Sequence, residues 1–212
     1  MIWTDVPWLC LDTETTGVDT ATAEVVELAV VTMIGGEVTD RRSMLVRPPC
    51  PIPAESSAVH GIGDADVACK PTLAEVADRF VARVAAAPIV VAYNAPFDLA
   101  ILERTCPGFA GAMQGRVVLD PLVVVRLPDV GKFWGGKGRH KLANVCAKMK
   151  LPIPGNAHRA AADAIMAGLV LWRFRDRLPA DAAEAAAFLA EARVQQDADF
   201  EAWRARQPVT PP

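Results

Sequence analysis

The chain has 212 residues, 52% of them hydrophobic and 22% charged, and 25 acidic against 22 basic side chains leave a formal net charge of −3. That length suits one substantial core, and the slight acidic excess excludes a protein that coats nucleic acid nonspecifically, which would need a strong basic surplus. The expectation is a soluble, cytoplasmic protein: no apolar run approaches the roughly 20 residues that cross a bilayer, no basic segment leads into an apolar one near Met1, and Cys10, Cys50, Cys69, Cys106 and Cys146 show no metal or disulfide spacing and read as reduced, largely buried thiols.

In chain order, Trp8 to Leu11 is an apolar run, Val25 to Ile34 a second, broken by Glu27 and Thr32, and Val38 to Val46 a third strand candidate. Gly35-Gly36 between the second and third signals an antiparallel hairpin. The proline-rich segment from Arg47 to Pro53 reads as a loop. Leu73, Val76, Ala77, Phe80, Val81 and Val84 have helical spacing, so a helix is predicted over about Thr72 to Ala86, ended by Pro88. Ile89 to Ala92 is a short apolar strand followed by a helix over Phe97 to Arg104. Val117 to Leu119 is another strand, and helices follow near Lys141 to Lys150 and Ala160 to Arg175. A hairpin joined to helix-linked crossings implies an α/β fold with a mixed sheet and helices on both faces. Asp181 to Arg206 is an alanine-rich helix former, whose Phe188, Leu189, Phe200 and Trp203 are expected to dock on the core. The domain expectation is 1–178, with 179–212 as a helical extension packed on it.

Asp12 and Glu14 end the first apolar run. Residues two apart on a strand share a face, so both carboxylates enter one volume. Two such groups repel unless one takes up a proton or a cation joins them, and hard oxygen ligands suit Mg²⁺ or Mn²⁺. Two more acidic segments follow: Asn94-Ala95-Pro96-Phe97-Asp98 after an apolar strand, and His158-Arg159-Ala160-Ala161-Ala162-Asp163. Asp163 lies among alanines, on a face able to approach a sheet closely. His158 sits at the helix start or in the loop before it, a position that suits a general base.

Asp12-Thr13-Glu14-Thr15-Thr16-Gly17, His60-Gly61-Ile62, Asn94-Ala95-Pro96-Phe97-Asp98 and His158-x4-Asp163 together resemble the successive motifs of the DEDDh, or DnaQ-like, 3′→5′ exonucleases, over Trp8 to Trp172. The resemblance implies a ribonuclease H-like, three-layer α/β fold with a five-stranded mixed sheet flanked by helices. It implies two divalent cations, Mg²⁺ or Mn²⁺: Asp12, Glu14 and Asp163 would ligate the first, Asp12 would also reach the second, and Asp98 would act through ordered water. His158 would take the proton of the attacking water.

Two dications in such a site can serve an in-line phosphodiester hydrolysis, here of single-stranded nucleic acid from the 3′ end, with a nucleoside 5′-monophosphate as product. Thr13, Thr15, Thr16 and Gly17, just behind the metal acids, together with His60, Asn94 and Phe97, are the expected substrate contacts. His60 reads equally as a turn histidine and Phe97 equally as core. Lys132, Lys137, Arg139, His140 and Lys141, with Phe133 and Trp134, suit a single strand, because basic groups meet phosphate while rings stack on bases. DNA is favoured slightly. The alternatives are an exoribonuclease of the oligoribonuclease or ribonuclease T kind, and a polymerase-associated proofreading or nucleic-acid-binding subunit. A homodimer or a polymerase is the protein partner to expect, and a membrane is not.

Overall fold

The computed structural model describes residues 1–131, 138–152 and 159–206. Its five strands are β1 (Trp8–Thr15), β2 (Val25–Ile34), β3 (Glu37–Leu45), β4 (Ile89–Val91) and β5 (Val117–Leu119). They form one sheet in the order β3-β2-β1-β4-β5. The β1–β2 and β2–β3 pairs are antiparallel, and β1–β4 and β4–β5 are parallel. The described helices are α1 (Ala54–His60), α2 (Asp64–Val67), α3 (Leu73–Ala86), α4 (Ala95–Thr105), α5 (Phe109–Met113), α6 (Pro121–Val125), α7 (Pro128–Gly131), α8 (Leu142–Met149), α9 (Ala160–Arg173) and α10 (Ala182–Ala205). This is the expected mixed sheet with helices on both faces.

Local chemistry accounts for the framework. Gly35 and Gly36 both take positive φ, +57° and +83°, as the tight hairpin turn between right-twisted strands demands. Gly36 has a second constraint, because a Cβ there would overlap the Trp172 ring of α9. Helix α3 opens on a reciprocal cap: the Thr72 N–H donates to Glu75 at 2.7 Å, and Thr72 Oγ1 accepts from the Glu75 N–H. Its apolar positions Leu73, Val76, Ala77, Phe80 and Val84 are all buried.

Strand alternation divides the core between the two faces. Leu9, Leu11, Leu28 and Val30 pack with Val76, Phe80 and Val84 of α3, Ile101 and Leu102 of α4, and Phe109 of α5. Cys10, Val31 and Met33 pack on the other face with Met166, Val170 and Leu171 of α9 and Val123 to Val125 of α6. Helix α9 comes very close to the sheet where small residues stand on its contact side. Gly168 faces the sulfurs of Met33 and Cys10, and Ala160 and Ala161 pack on Ala29 of β2.

Helix α10 departs from expectation along half its length. Ala182, Ala185 and Leu189 are buried, but Phe200 and Trp203 are 55% and 51% exposed and stack on each other with ring centroids 5.8 Å apart. These rings cover each other instead of docking on the core. The thiols also divide: Cys10, Cys106 and Cys146 are buried, whereas Cys50 and Cys69 are exposed. Among the described residues, no helix is long and apolar enough to cross a membrane.

Candidate active site

The C-terminal half of β1 carries the site. Asp12 lies opposite Ala29 and Glu14 opposite Glu27 in the β1–β2 ladder, so both carboxylates stand on the face that α9 covers. Asp163 lies in the first turn of α9, and the alanine contact just described brings that turn down onto β2. One oxygen from each of Asp12, Glu14 and Asp163 lies within 4.8 Å of the others.

Asp98 lies outside that group of three and meets β1 at Thr13, near enough for its charge to act on Asp12. Strand β4 pairs with β1 only as far as Cys10 and Val91, so the β1 edge beyond has no strand beside it. Thr13 donates its backbone N–H at 2.9 Å and its hydroxyl at 2.7 Å to Asp98 Oδ1. The carboxylate thus takes the ladder position that a longer β4 would have filled, and it fastens α4 to β1.

The electrostatics are those of crowded acids. Burial, then the charges of Asp98, Asp163, Glu14 and Glu27, hold the Asp12 carboxyl well above its ordinary range. Burial pushes Glu14 up to about 8, with Asp163 and Glu27 adding to the effect and Arg159 opposing it. Asp98 is pushed up to about 7 by burial, against the Thr13 hydrogen bonds that favour its charged form. Acids this close ionise together only if positive charge joins them. Three hard carboxylate donors in so small a volume fit a divalent cation of the Mg²⁺ or Mn²⁺ class.

Two groups that sequence reasoning did not select hold this arrangement. Glu27, 2% exposed, receives a two-pronged ion pair from Arg159, Nε to Oε2 at 2.8 Å and Nη2 to Oε1 at 3.0 Å. It also accepts the Ala160 N–H at 3.2 Å and the Ser43 hydroxyl at 2.5 Å. Burial opposes its charge, but the hydrogen bonds from Arg159 and Ser43 outweigh it and keep the carboxyl below its usual range. Glu27 therefore ties β2 to Arg159 and Ala160 at the start of α9, in the same first turn that carries Asp163. Its signal in the sequence was the lone acid interrupting an apolar strand. The second group is Asp120, which accepts the backbone N–H groups of Asn94 and Ala95 at the start of α4, each at 3.0 Å.

The other expected residues are distributed as follows. The polar groups of Thr13 are both engaged by Asp98, so it serves the acid. Thr15 donates its hydroxyl to the Gly17 carbonyl at 2.7 Å, and Thr16 Oγ1 accepts the Glu24 N–H at 2.9 Å; both shape the turn leaving β1. A Cβ at Gly17 would meet nothing within 4 Å, so the backbone there is open to approach. His60 is 5% exposed. Its Nδ1 accepts the Ile62 N–H at 3.1 Å, and burial lowers its pKa, against a backbone hydrogen bond with Thr15 that favours the charged ring. Asn94 is exposed with left-handed backbone, and Phe97 is half-buried against the core. Arg139, His140 and Lys141 are described, and the His140 carbonyl accepts the Tyr93 hydroxyl at 2.6 Å. His158, Lys132, Phe133, Trp134 and Lys137 lie outside the described residues.

A model of the RNase T exonuclease family matches residues 9–171, from β1 into the last turn of the helix that carries Asp163. This chain belongs to that family. The DnaQ-like exonucleases that compose it are phosphodiester hydrolases, and the enzyme class expected from the sequence stands with the assignment. A DNA polymerase III subunit epsilon-like protein of Rhodobacter capsulatus is 36% identical over 180 residues, 82% of this chain and 24% of that protein. An uncharacterized exonuclease of Escherichia phage 186 is 32% identical over 77% of this chain and 86% of its own length. The DNA polymerase III epsilon subunit of Escherichia coli is 31% identical over 68% of this chain and 60% of its own length. The chain thus spans only about a quarter of the Rhodobacter relative. Among solved structures, exonuclease X in complex with 5′ overhanging duplex DNA has a TM-score of 0.65 at 26% identity, over 86% of this chain and 99% of that one. Exonuclease I of E. coli with a dT13 oligonucleotide shares the fold, with a TM-score of 0.67 at 18% identity over 82% of this chain and 42% of that one. Within this family the architecture is ribonuclease H-like.

Proposed function

We propose that this chain is a metal-dependent 3′→5′ exonuclease acting on single-stranded nucleic acid, DNA in preference to RNA, and releasing nucleoside 5′-monophosphates. The convergence of Asp12, Glu14 and Asp163 within 4.8 Å carries the reading. Two bound Mg²⁺ or Mn²⁺ ions would acidify the attacking water, neutralise the scissile phosphate and stabilise the leaving 3′ oxygen. Asp12, Glu14 and Asp163 would hold them, with Asp98 acting through water. His158 accepts the proton of the attacking water at neutral pH. The open backbone at Gly17 and the Asn94 turn receive the terminal nucleotide, and His60 is a further contact in this reading. The preference for DNA is supported by the relatives, which are named as DNA polymerase III subunits, and by the duplex DNA held by exonuclease X.

Residues 1–178 form the catalytic domain in this reading, and 179–212 an extension on the same unit, supported by burial of Ala182, Ala185 and Leu189. Kinship with epsilon chains also favours a polymerase as partner. The deciding experiment incubates the protein with matched, 5′-labelled single-stranded DNA and RNA in Mg²⁺, Mn²⁺ or EDTA. A ladder shortening from the 3′ end, faster on DNA and abolished by EDTA and by Asp12→Ala, is the expected result. Full activity in Asp12→Ala removes the proposal.

A further inference from the structure

We propose that Arg193 of α10, beyond the segment shared with the family, is a positioning residue for the reaction: it holds Asp120, and Asp120 fixes the turn from which the Asp98 helix starts. This inference rests on the exonuclease reading above.

Asp120 follows β5 and is 6% exposed. Its Oδ1 accepts the N–H groups of Asn94 at 3.0 Å and Leu122 at 2.9 Å, and its Oδ2 accepts that of Ala95 at 3.0 Å together with Arg193 Nη2. Only the Leu122 bond is Asp120's own helix cap. The other two backbone donors belong to the start of α4, where Asn94 takes φ 65° and ψ 46°. That left-handed backbone costs a residue with a Cβ, least of all Asn, and the two bonds to Asp120 favour it here. Asp98 stands one turn further on, and its Oδ1 must meet two donors on Thr13. A loosened Asn94 turn would therefore misplace Asp98.

The cation comes from outside the family segment. The side chains of Arg193 and Asp120 are 20% and 8% exposed, so the pair is largely shielded from water. Burial opposes the charge on Asp120 and outweighs its donors. Without the guanidinium the carboxyl would move further toward the neutral acid, which accepts fewer hydrogen bonds. Gln196, also on α10, provides an internal comparison. Its Nε2 donates to the Val123 carbonyl at 2.9 Å, so it helps dock the same helix without being bonded to Asp120.

The test compares the full chain with Arg193→Ala, Arg193→Lys and Gln196→Ala, measuring kcat and KM for mononucleotide release in Mg²⁺ and amide hydrogen exchange at Asn94 and Ala95. Arg193→Ala is expected to lower kcat roughly 10-fold, the scale of a sub-ångström misplacement in a site, with KM little changed. Its Asn94 and Ala95 amides exchange faster while those of the β1–β2 ladder do not. Arg193→Lys keeps the charge and shows an intermediate loss, a comparison that stands even if the alanine variant fails to fold. Gln196→Ala retains wild-type kcat. Unchanged exchange at Asn94 and Ala95 in both arginine variants overturns the proposal, as does a loss in Gln196→Ala equal to that in Arg193→Ala. A wild-type chain that releases no nucleotide refutes the exonuclease reading instead, and the two amides alone then decide the role of Arg193.

Discussion

Thr13 separates what spacing reveals from what it hides. Its neighbours Asp12 and Glu14 face α9, and their two-residue offset on an apolar strand was enough to place them together. Thr13 points the other way, into the gap left by the short β4, and no pattern in the chain announces that Asp98 will fill that gap. Replacing Thr13 by Val keeps the shape and removes the 2.7 Å hydroxyl bond. That change should cost about 1 kcal/mol of stability, read by urea unfolding, and should lower kcat several-fold while leaving Asp12 and Glu14 in place. Unaltered turnover would show that Asp98 needs only the backbone donor. His158→Ala should reduce the rate by roughly 10² to 10⁴ if the imidazole is the base, and the acidic limb of the pH–rate profile should disappear with it. Glu27 was visible only as an interruption in an apolar run, because its partner Arg159 lies 132 positions away in the chain.

At the level of elements, all five strands and the hairpin were legible, since the apolar runs and the paired glycines state them locally. Helix α6 was not. Pro121-Leu122-Val123-Val124-Val125 is β-branched and apolar, and it turns helical because Asp120 caps it and Pro121 takes the first position, where a missing N–H costs nothing. The exposed end of α10 was also misjudged. Composition marks Phe200 and Trp203 as costly to expose, and only the path of the helix shows that the core has ended before them. The closeness of α9 to the sheet makes a sharper prediction. Gly168→Ala would press a methyl group onto the sulfurs of Met33 and Cys10. It should destabilise the fold by about 1–3 kcal/mol, the usual cost of overpacking, and lift the Asp163 turn from its partners. Thermal melts and turnover should fall together; a fully active, equally stable variant would show that α9 can shift without consequence.

For the whole molecule, the crowded acids link folding to pH and to cations. Glu14 moves from 4.5 to about 8 and Asp98 from 3.8 to about 7 in the folded, metal-free chain. Both acids are raised, so between the ordinary and the folded values the native state holds more protons than the unfolded one. Stability therefore declines as pH climbs through that window and is not restored above it. The melting temperature of EDTA-treated protein should drop between about pH 5 and pH 8, counter to the usual carboxylate behaviour, and added Mg²⁺ should raise it more at the upper pH than at the lower. Equal Mg²⁺ effects at both would mean that the cation does not bind at these carboxylates.

The sulfur of Cys10 lies 3.6 Å from that of Met33, sealed beneath α9 and two residues from Asp12. Burial drives its thiol far from ionisation, so an alkylating reagent meets it only when that helix lifts away, whereas Cys50 and Cys69 stand ready for labelling at once. The molecule thus carries its own chemical clock: the rate at which Cys10 becomes modified counts how often the layer above β1 opens.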